Sequence, residues 1–164
     1  MSARITDYTS YDNVRAALGV SEDDLEDETL ALDLYADALE LEFDDVSSGF
    51  AALYAAANAA DVPTDAQKKL LTVTRLFATY AVAKHLTASL PLFAAKQVTD
   101  SKAAVQRFDN PYRDTVKAVA DRYGTLRTRL ESAVDALASS TRTSVTKTYF
   151  SVVSSAVDPI TDSE

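Results

Sequence analysis

Residues 66–88, AQKKLLTVTRLFATYAVAKHLTA, contain neither Gly nor Pro and constrain the fold more than any other stretch. They are long enough for about six helical turns, roughly 35 Å. Lys68, Thr72, Arg75 and Thr79 follow a 4-3-4 spacing, so the polar residues form one narrow stripe. Leu70, Leu71, Val73, Leu76, Phe77, Tyr80, Ala81 and Val82 cover most of the remaining circumference. A helix so apolar must be covered by other elements. Thr64 followed by Gln67 three residues later reads as a capping box, with Pro63 just outside. The stretch is expected to be the central core helix, with part of it, or of its partner's flank, buried only against neighbouring subunits.

The other elements must then supply that cover. Tyr112, Val116, Val119, Tyr123, Leu126, Leu130, Ala133 and Leu137 step 4-3-4-3-4-3-4, a heptad seam for a long helix packed antiparallel on the core helix. Arg113, Lys117, Arg122, Arg127 and Arg129 decorate its outer side, and Gly124 is a mild weakness within it. Asn110-Pro111 supplies a cap and an N1 proline, marking a fresh start or a kink. With only three Gly and four Pro in 164 residues, a turn-rich all-β fold is disfavoured. The expected class is mainly α: a helical bundle with long antiparallel helices, a short β element and an extended C-terminal tail. Residues 1–140 would form the bundle domain and residues 141–164 the tail.

Towards the N-terminus, residues 1–10 read as an irregular polar lead-in. Asp12 would cap a short helix ending at Leu18-Gly19, with Val20 as an anchor after the turn. Ser21 would cap a second helix running to about Asp37, with Leu25, Leu30, Leu34 and Ala38 on one face. Leu39-Glu40-Leu41-Glu42-Phe43-Asp44 then alternates as a half-buried strand does; a continued helix is the alternative. Lys96 to Thr99 would pair with that strand. Phe50 to Ala60 reads as a short Ala-rich helix, and Ser89-Leu90-Pro91 ends the core helix.

Charge is the second constraint. Of 25 acids, twelve lie between residues 21 and 45 with no base among them, leaving a remainder of +3 elsewhere in a chain of net charge −9. Such a block repels nucleic acid or meets a basic partner. Glu22, Asp23, Asp24, Glu26, Asp27 and Glu28 lack the alternate spacing and bend glycine of a calcium loop. The absence of Cys excludes disulfides and thiolate metal sites. His85, the only histidine, reads as a surface or structural residue. The three Gly lie 30 and 75 residues apart, which rules out a glycine-rich phosphate loop. No catalytic, cofactor or metal site is expected, and the chain reads as a non-enzyme. The opening MSARITDYTS has no signal-peptide run and no stretch reaches membrane-spanning length, so a soluble intracellular protein is expected.

After Ala138 the composition shifts to Ser, Thr and Val with alternating β character. The patch around Tyr149, Phe150, Val152 and Val153 is too apolar for a free end and is expected to dock on a partner.

Val14-Arg-Ala-Ala-Leu-Gly-Val20, the acidic spacer after it and the Leu- and Ala-rich helix beyond resemble the opening of the head–tail connector (adaptor) proteins of tailed bacteriophages. Arg75-Leu-Phe-Ala-Thr-Tyr-Ala-Val-Ala-Lys84 is similar to that family's long core helix, and the resemblance spans roughly residues 10–138. The sequence departs from the family in its longer middle, residues 39–63, and in the expected strand there. The resemblance implies a structural protein that forms a homo-oligomeric ring of about twelve copies, seated beneath the portal protein and joined to a tail or nozzle protein. It implies assembly in the host cytoplasm and a final place at the capsid vertex or neck of the virion. DNA would pass through the channel without specific binding, and no membrane or cofactor is involved. On this reading the acids at 22–24 and 26–28 face the channel, and Tyr149, Phe150, Val152 and Val153 meet the portal or a neighbour. The alternative is a small acidic helical binding or regulatory protein that meets a basic partner.

Overall fold

A computed structural model describes residues 4–87 and 113–143 of the chain. Among them the protein is mainly α-helical: a 3-10 turn at Ile5–Asp7 precedes α1 (Tyr11–Leu18), α2 (Asp27–Leu30), α3 (Asp33–Val46), α4 (Phe50–Asn58), α5 (Asp65–Leu86) and α6 (Arg113–Thr143).

The expected core helix is present as α5, Asp65–Leu86, and the start legible in the sequence is made. Thr64 Oγ1 accepts from the Gln67 amide at 3.3 Å, while the Thr64 amide donates to Gln67 Oε1 at 2.8 Å. Leu70, Val73, Phe77, Ala78, Ala81, Val82, Ala83 and Leu86 are all buried. α6 lies along α5 in the opposite sense: Tyr80 shares a surface hollow with Thr115, Ala118, Val119 and Arg122, and Lys69 shares another with Thr125, Thr128, Arg129 and Ser132. Within α6, Val119, Leu126, Leu130, Ala133 and Val134 enter the common core. Val116 stays exposed, and Tyr112 lies outside the described residues.

The expectation of burial against neighbouring subunits is corrected for α5 itself; on the flank of its partner α6, Val116 is exposed. Helices α1, α3, α4 and α6 all pack on α5, leaving Leu76 as its one large exposed apolar side chain. The N-terminal segment contributes too, so the irregular polar lead-in is a second correction: Ile5, Tyr8 and Thr9 are buried. Asn13 Nδ2 donates to Thr9 Oγ1 at 3.3 Å. Thr79 Oγ1 donates to the Arg75 carbonyl at 2.9 Å, which leaves the Thr9 hydroxyl as the donor in the 2.7 Å Thr9–Thr79 bond. The polar stripe on α5 is thus cut at Thr79, which the N-terminal segment covers.

The expected strand at Leu39 to Asp44 is helix, the inner half of α3. Burial shows why. In a strand, Leu39, Leu41 and Phe43 would share a face. Here Leu39 and Phe43, four apart, are buried with Ala36, whereas Leu41 is 69% exposed. The alternation of acids and apolar residues is compatible with both periods, and packing selects the helix. The expected pairing partner, residues 96–99, lies outside the described residues, as do the breaks at 89–91 and 110–111 and the tail from 144 on.

Two boundaries also differ from expectation. Ser10, not Asp12, caps α1, accepting from the Asn13 amide at 3.3 Å; Gly19 ends it at φ 71°, a left-handed position that suits glycine. The helix expected from Ser21 to Asp37 is broken into a turn, α2 and α3. Beside the turn, Arg15 Nε–H donates to the Leu25 carbonyl at 2.8 Å. That oxygen would otherwise serve the Thr29 amide, which turns instead to the Glu26 carbonyl. With α3 starting afresh at Asp33, Leu34, placed by the sequence on the buried face, is 69% exposed.

Phe43→Ala is expected to cost about 3–5 kcal/mol in chemical denaturation, whereas Leu41→Lys in dilute protein stays within about 0.5 kcal/mol. Equal costs at the two positions would restore the strand. Gly124 is exposed, with open space where a Cβ would stand. Gly124→Ala should therefore raise stability by roughly 0.5–1 kcal/mol in the same assay.

Candidate functional site

The acidic block is the feature most able to act on another molecule. Arg15 holds it in place, reaching from α1 beneath the strip with only 6% of its surface exposed. Besides the Leu25 carbonyl, its guanidinium donates to Asp12 Oδ1 at 2.9 Å and pairs with Asp27 Oδ1. A fixed fork that meets a carbonyl and two carboxylates suits arginine and would not suit lysine. Ser21 closes the turn before it, its amide and hydroxyl donating to Asp24 Oδ2 at 3.1 and 2.7 Å. Leu25 and Leu30 anchor both ends in the core. Glu22, Asp23, Asp24 and Glu26 stand exposed on the turn before α2, and Asp27 and Glu28 stand exposed in its first turn.

On α3 the acids divide. Asp33, Asp37, Asp44 and Asp45 are exposed, alongside Leu34 and Leu41. Glu42 points the other way into the junction of α3, α5 and α6, its side chain 14% exposed. Its Oε1 lies 3.6 Å from Lys84 Nζ and 3.9 Å from His85 Nε2. Its Oε2 accepts from the Tyr123 hydroxyl and lies 3.6 Å from Arg127 Nη1. Arg127 reaches on to Asp45 and to Glu131, and Lys84 Nζ sits 3.8 Å above the Tyr123 ring. His85 is therefore at the edge of a charged junction, a place its isolation in the sequence did not suggest.

This junction ties helices together; it does not present a reacting group. Its polar groups face one another, and among the described residues no serine, threonine or cysteine is paired with His85. Among the described residues no group of three or more His, Asp or Glu side chains is placed to hold a metal ion, and no helix is long and apolar enough to cross a membrane. A hollow between the N-terminal turn and the start of α3 is open and lined by Arg4, Asp7, Leu30, Leu32, Asp33 and Ala36 among others.

Where the structure places the remaining sequence-derived residues is uneven. Val119, Leu126 and Leu130 of the seam are buried, Tyr123 is half-buried and Val116 is exposed. Tyr149, Phe150, Val152 and Val153 lie outside the described residues. Arg15 and Glu42 were missed as organising residues. For Arg15 the available signal was a base flanked by Val14, Ala17 and Leu18 on the apolar face of a short helix.

Comparison with protein-family models, curated proteins and solved structures finds no match in any of the three.

Three tyrosines report on this architecture. Burial, the largest cause, raises the pKa of Tyr8, Tyr54 and Tyr123; Glu40 and Asp7 add to it at Tyr8, Asp7 at Tyr54, and the bond to Glu42 at Tyr123. Because the folded values exceed the unfolded value of about 10, these groups contribute their full stability below that pH and lose it as pH rises through the folded values. The chain has eight tyrosines and no Trp, so tyrosinate absorbance reads them cleanly. An alkaline titration should show a late group of three that ionises together with loss of helical circular dichroism. Tyr123→Phe should remove one of the three. Eight tyrosines titrating together in a chain that stays helical would contradict the packing described.

Proposed function

We propose that the protein is a structural, non-catalytic subunit: a head-to-tail adaptor of the tailed-phage kind that its sequence resembles. It would form a ring under a portal, extend the DNA channel and join capsid to tail in the virion neck. The observation that carries this reading is the acidic strip itself. A run of acids left to solvent would need no arginine beneath it, whereas this one is pinned by Arg15 and held outward on a stable helical body. In a ring, a fixed acidic strip facing the lumen would repel passing DNA along the whole path and prevent sticking. A body built from a 22-residue and a 31-residue helix packed side by side supplies a rigid unit for such an assembly. The portal and the tail-side protein are proposed partners, with residues 141–164 as the docking segment.

A second reading, a small acidic helical protein that meets a basic partner, draws support from the exposed Leu34 and Leu41 beside acids on α3.

Native mass measurement and electron microscopy of the protein, alone and with a portal-bearing particle, separate the two. The adaptor reading expects a closed ring of about twelve copies; a stable monomer that joins no particle would refute it. Within a ring, replacing Glu22, Asp23, Glu26 and Glu28 by Lys should leave folding intact and make the channel retain DNA. An image that places these acids on the outer rim would end the lumen assignment.

A further inference from the structure

On a protein of net charge −9, one flank of the α5–α6 pair is basic. Tyr123 and Arg127 of α6 turn toward Glu42 of α3, so by helical phase Arg122 and Arg129 lie on the other flank. Two hollows mark it. One is lined by Lys69 of α5 with Thr125, Thr128, Arg129 and Ser132 of α6; in the other Arg122 stands beside Tyr80 of α5 and the end of α1. Among the described residues no acid lines either hollow. Lys69, Arg122 and Arg129 are exposed, and none forms an ion pair with another described residue. Helical neighbours offer the two arginines no partner: at three and four residues from them stand Ala118, Val119, Thr125, Leu126, Ser132 and Ala133, none an acid.

The hydroxyls between these bases narrow what can lie there. Thr125, Thr128 and Ser132 each donate to the helix carbonyl four residues back, at 2.9, 3.4 and 2.9 Å, so they offer an incoming group only lone pairs. A phosphodiester backbone brings no N–H or O–H to meet them, and the acids elsewhere on the surface repel it. An extended peptide brings both what the bases need, carboxylates, and what the hydroxyl oxygens need, backbone N–H groups.

Spacing adds a register. Arg122 and Arg129 are seven residues apart on α6, about 10 Å along its axis, a distance that an extended chain covers in about three residues. We propose that this flank docks an extended acidic segment of a partner protein, in which carboxylates three residues apart meet Arg122 at one end and Arg129 with Lys69 at the other. Leu76, 43% exposed and next to Tyr80, receives an apolar residue beside the acid at Arg122. Contacts between exposed charges are individually weak, so one such segment is expected to bind at about 0.1–1 mM. The assignment does not depend on ring formation, and its test is separate from the imaging test above.

The probe is an end-blocked, fluorescein-labelled peptide with a leucine beside the first of two aspartates set three residues apart, titrated with the full chain by fluorescence anisotropy. Saturable binding that weakens with salt is expected, and the same peptide with asparagine for aspartate should not bind. Arg122→Glu with Arg129→Glu should keep the parent's circular dichroism and weaken binding at least about tenfold. Arg129→Gln, a milder change that keeps the test open if the double variant misfolds, should weaken it about threefold. No binding by the parent, equal binding by the folded variants, or equal binding of the asparagine peptide would overturn the proposal. So would a single-stranded oligonucleotide held more tightly than the peptide and released by the same variants, which would assign the flank to phosphate. Carbodiimide coupling of the protein alone should leave Lys69 unlinked to any carboxylate outside α5. A link from Lys69 to such a carboxylate, in the same chain or in a second copy, would show the flank already filled and overturn the assignment to a partner.

Discussion

The structure depends on the ring of Phe43. It stacks on Phe50 at 4.5 Å and meets Tyr8 at 4.7 Å and Phe77 at 5.7 Å; Phe77 carries the contact on to Tyr123 at 5.5 Å, and Tyr8 to Tyr54 at 4.9 Å. One side chain thus joins the N-terminal segment, α3, α4 and α5, and α6 at one remove. Offset and tilted aromatic pairs add about 0.5–1.5 kcal/mol each beyond the area they bury. More important is the geometric consequence. For Phe43 to reach this cluster together with Leu39, α3 must be helical, and once helical it must turn Leu34, Asp37, Leu41 and Asp44 outward. The surface pattern of the molecule follows from the placement of one core ring.

Two charged residues complete what the aromatics begin, with opposite signs and related logic. Arg15 is a base taken out of water beneath acids, and Glu42 is an acid drawn under Lys84, Arg127 and His85. Desolvating such groups offsets much of their mutual attraction, so neither is a strong argument for stability alone. Their effect is on arrangement. Arg15 donates to the Leu25 carbonyl where the chain runs as a turn in place of the expected helix. Glu42 fixes the rotational setting of α3 against α5 and α6, because only one face of α3 can meet all its partners. The acidic block is therefore divided within the fold: Glu42 ties helices together from a half-buried position, Asp27 and Asp45 pair with bases, and most of the block is exposed.

How far the sequence foretold this varies with the range of the interaction. α5, its capping box and the buried positions of α6 from Val119 on were legible, because a long period-3.6 pattern and a local cap are set by neighbours three and four apart. Leu39 to Asp44 was not, since six residues of alternation fit a strand and a helix alike until Phe50 and Phe77 choose between them. Leu34 was misplaced because the chain breaks at residues 31–32, between α2 and α3, and the new helix starts in a different phase, an event no periodicity encodes. Ile5 and Tyr8 looked like lead-in because a short segment has no period to read. The acidic strip was legible as composition; that it is held rigid was not, since its base lies outside it on α1.

The separation of charge has a further physical consequence. A chain of net charge −9 repels its own copies at long range, with a reach of about 8–10 Å at ordinary salt. Association through two α3 faces would set acids against acids and add to that repulsion. Contact between an acidic face and a basic one would reverse the sign locally, within the range where screening is weak and leucine burial operates. Long-range repulsion with short-range, face-specific attraction favours contacts made in one orientation over collapse into an unordered aggregate. Distribution of charge, more than its total, then decides how copies of this molecule can meet. That distribution is set by the same helical phase of α3 that Phe43 imposes.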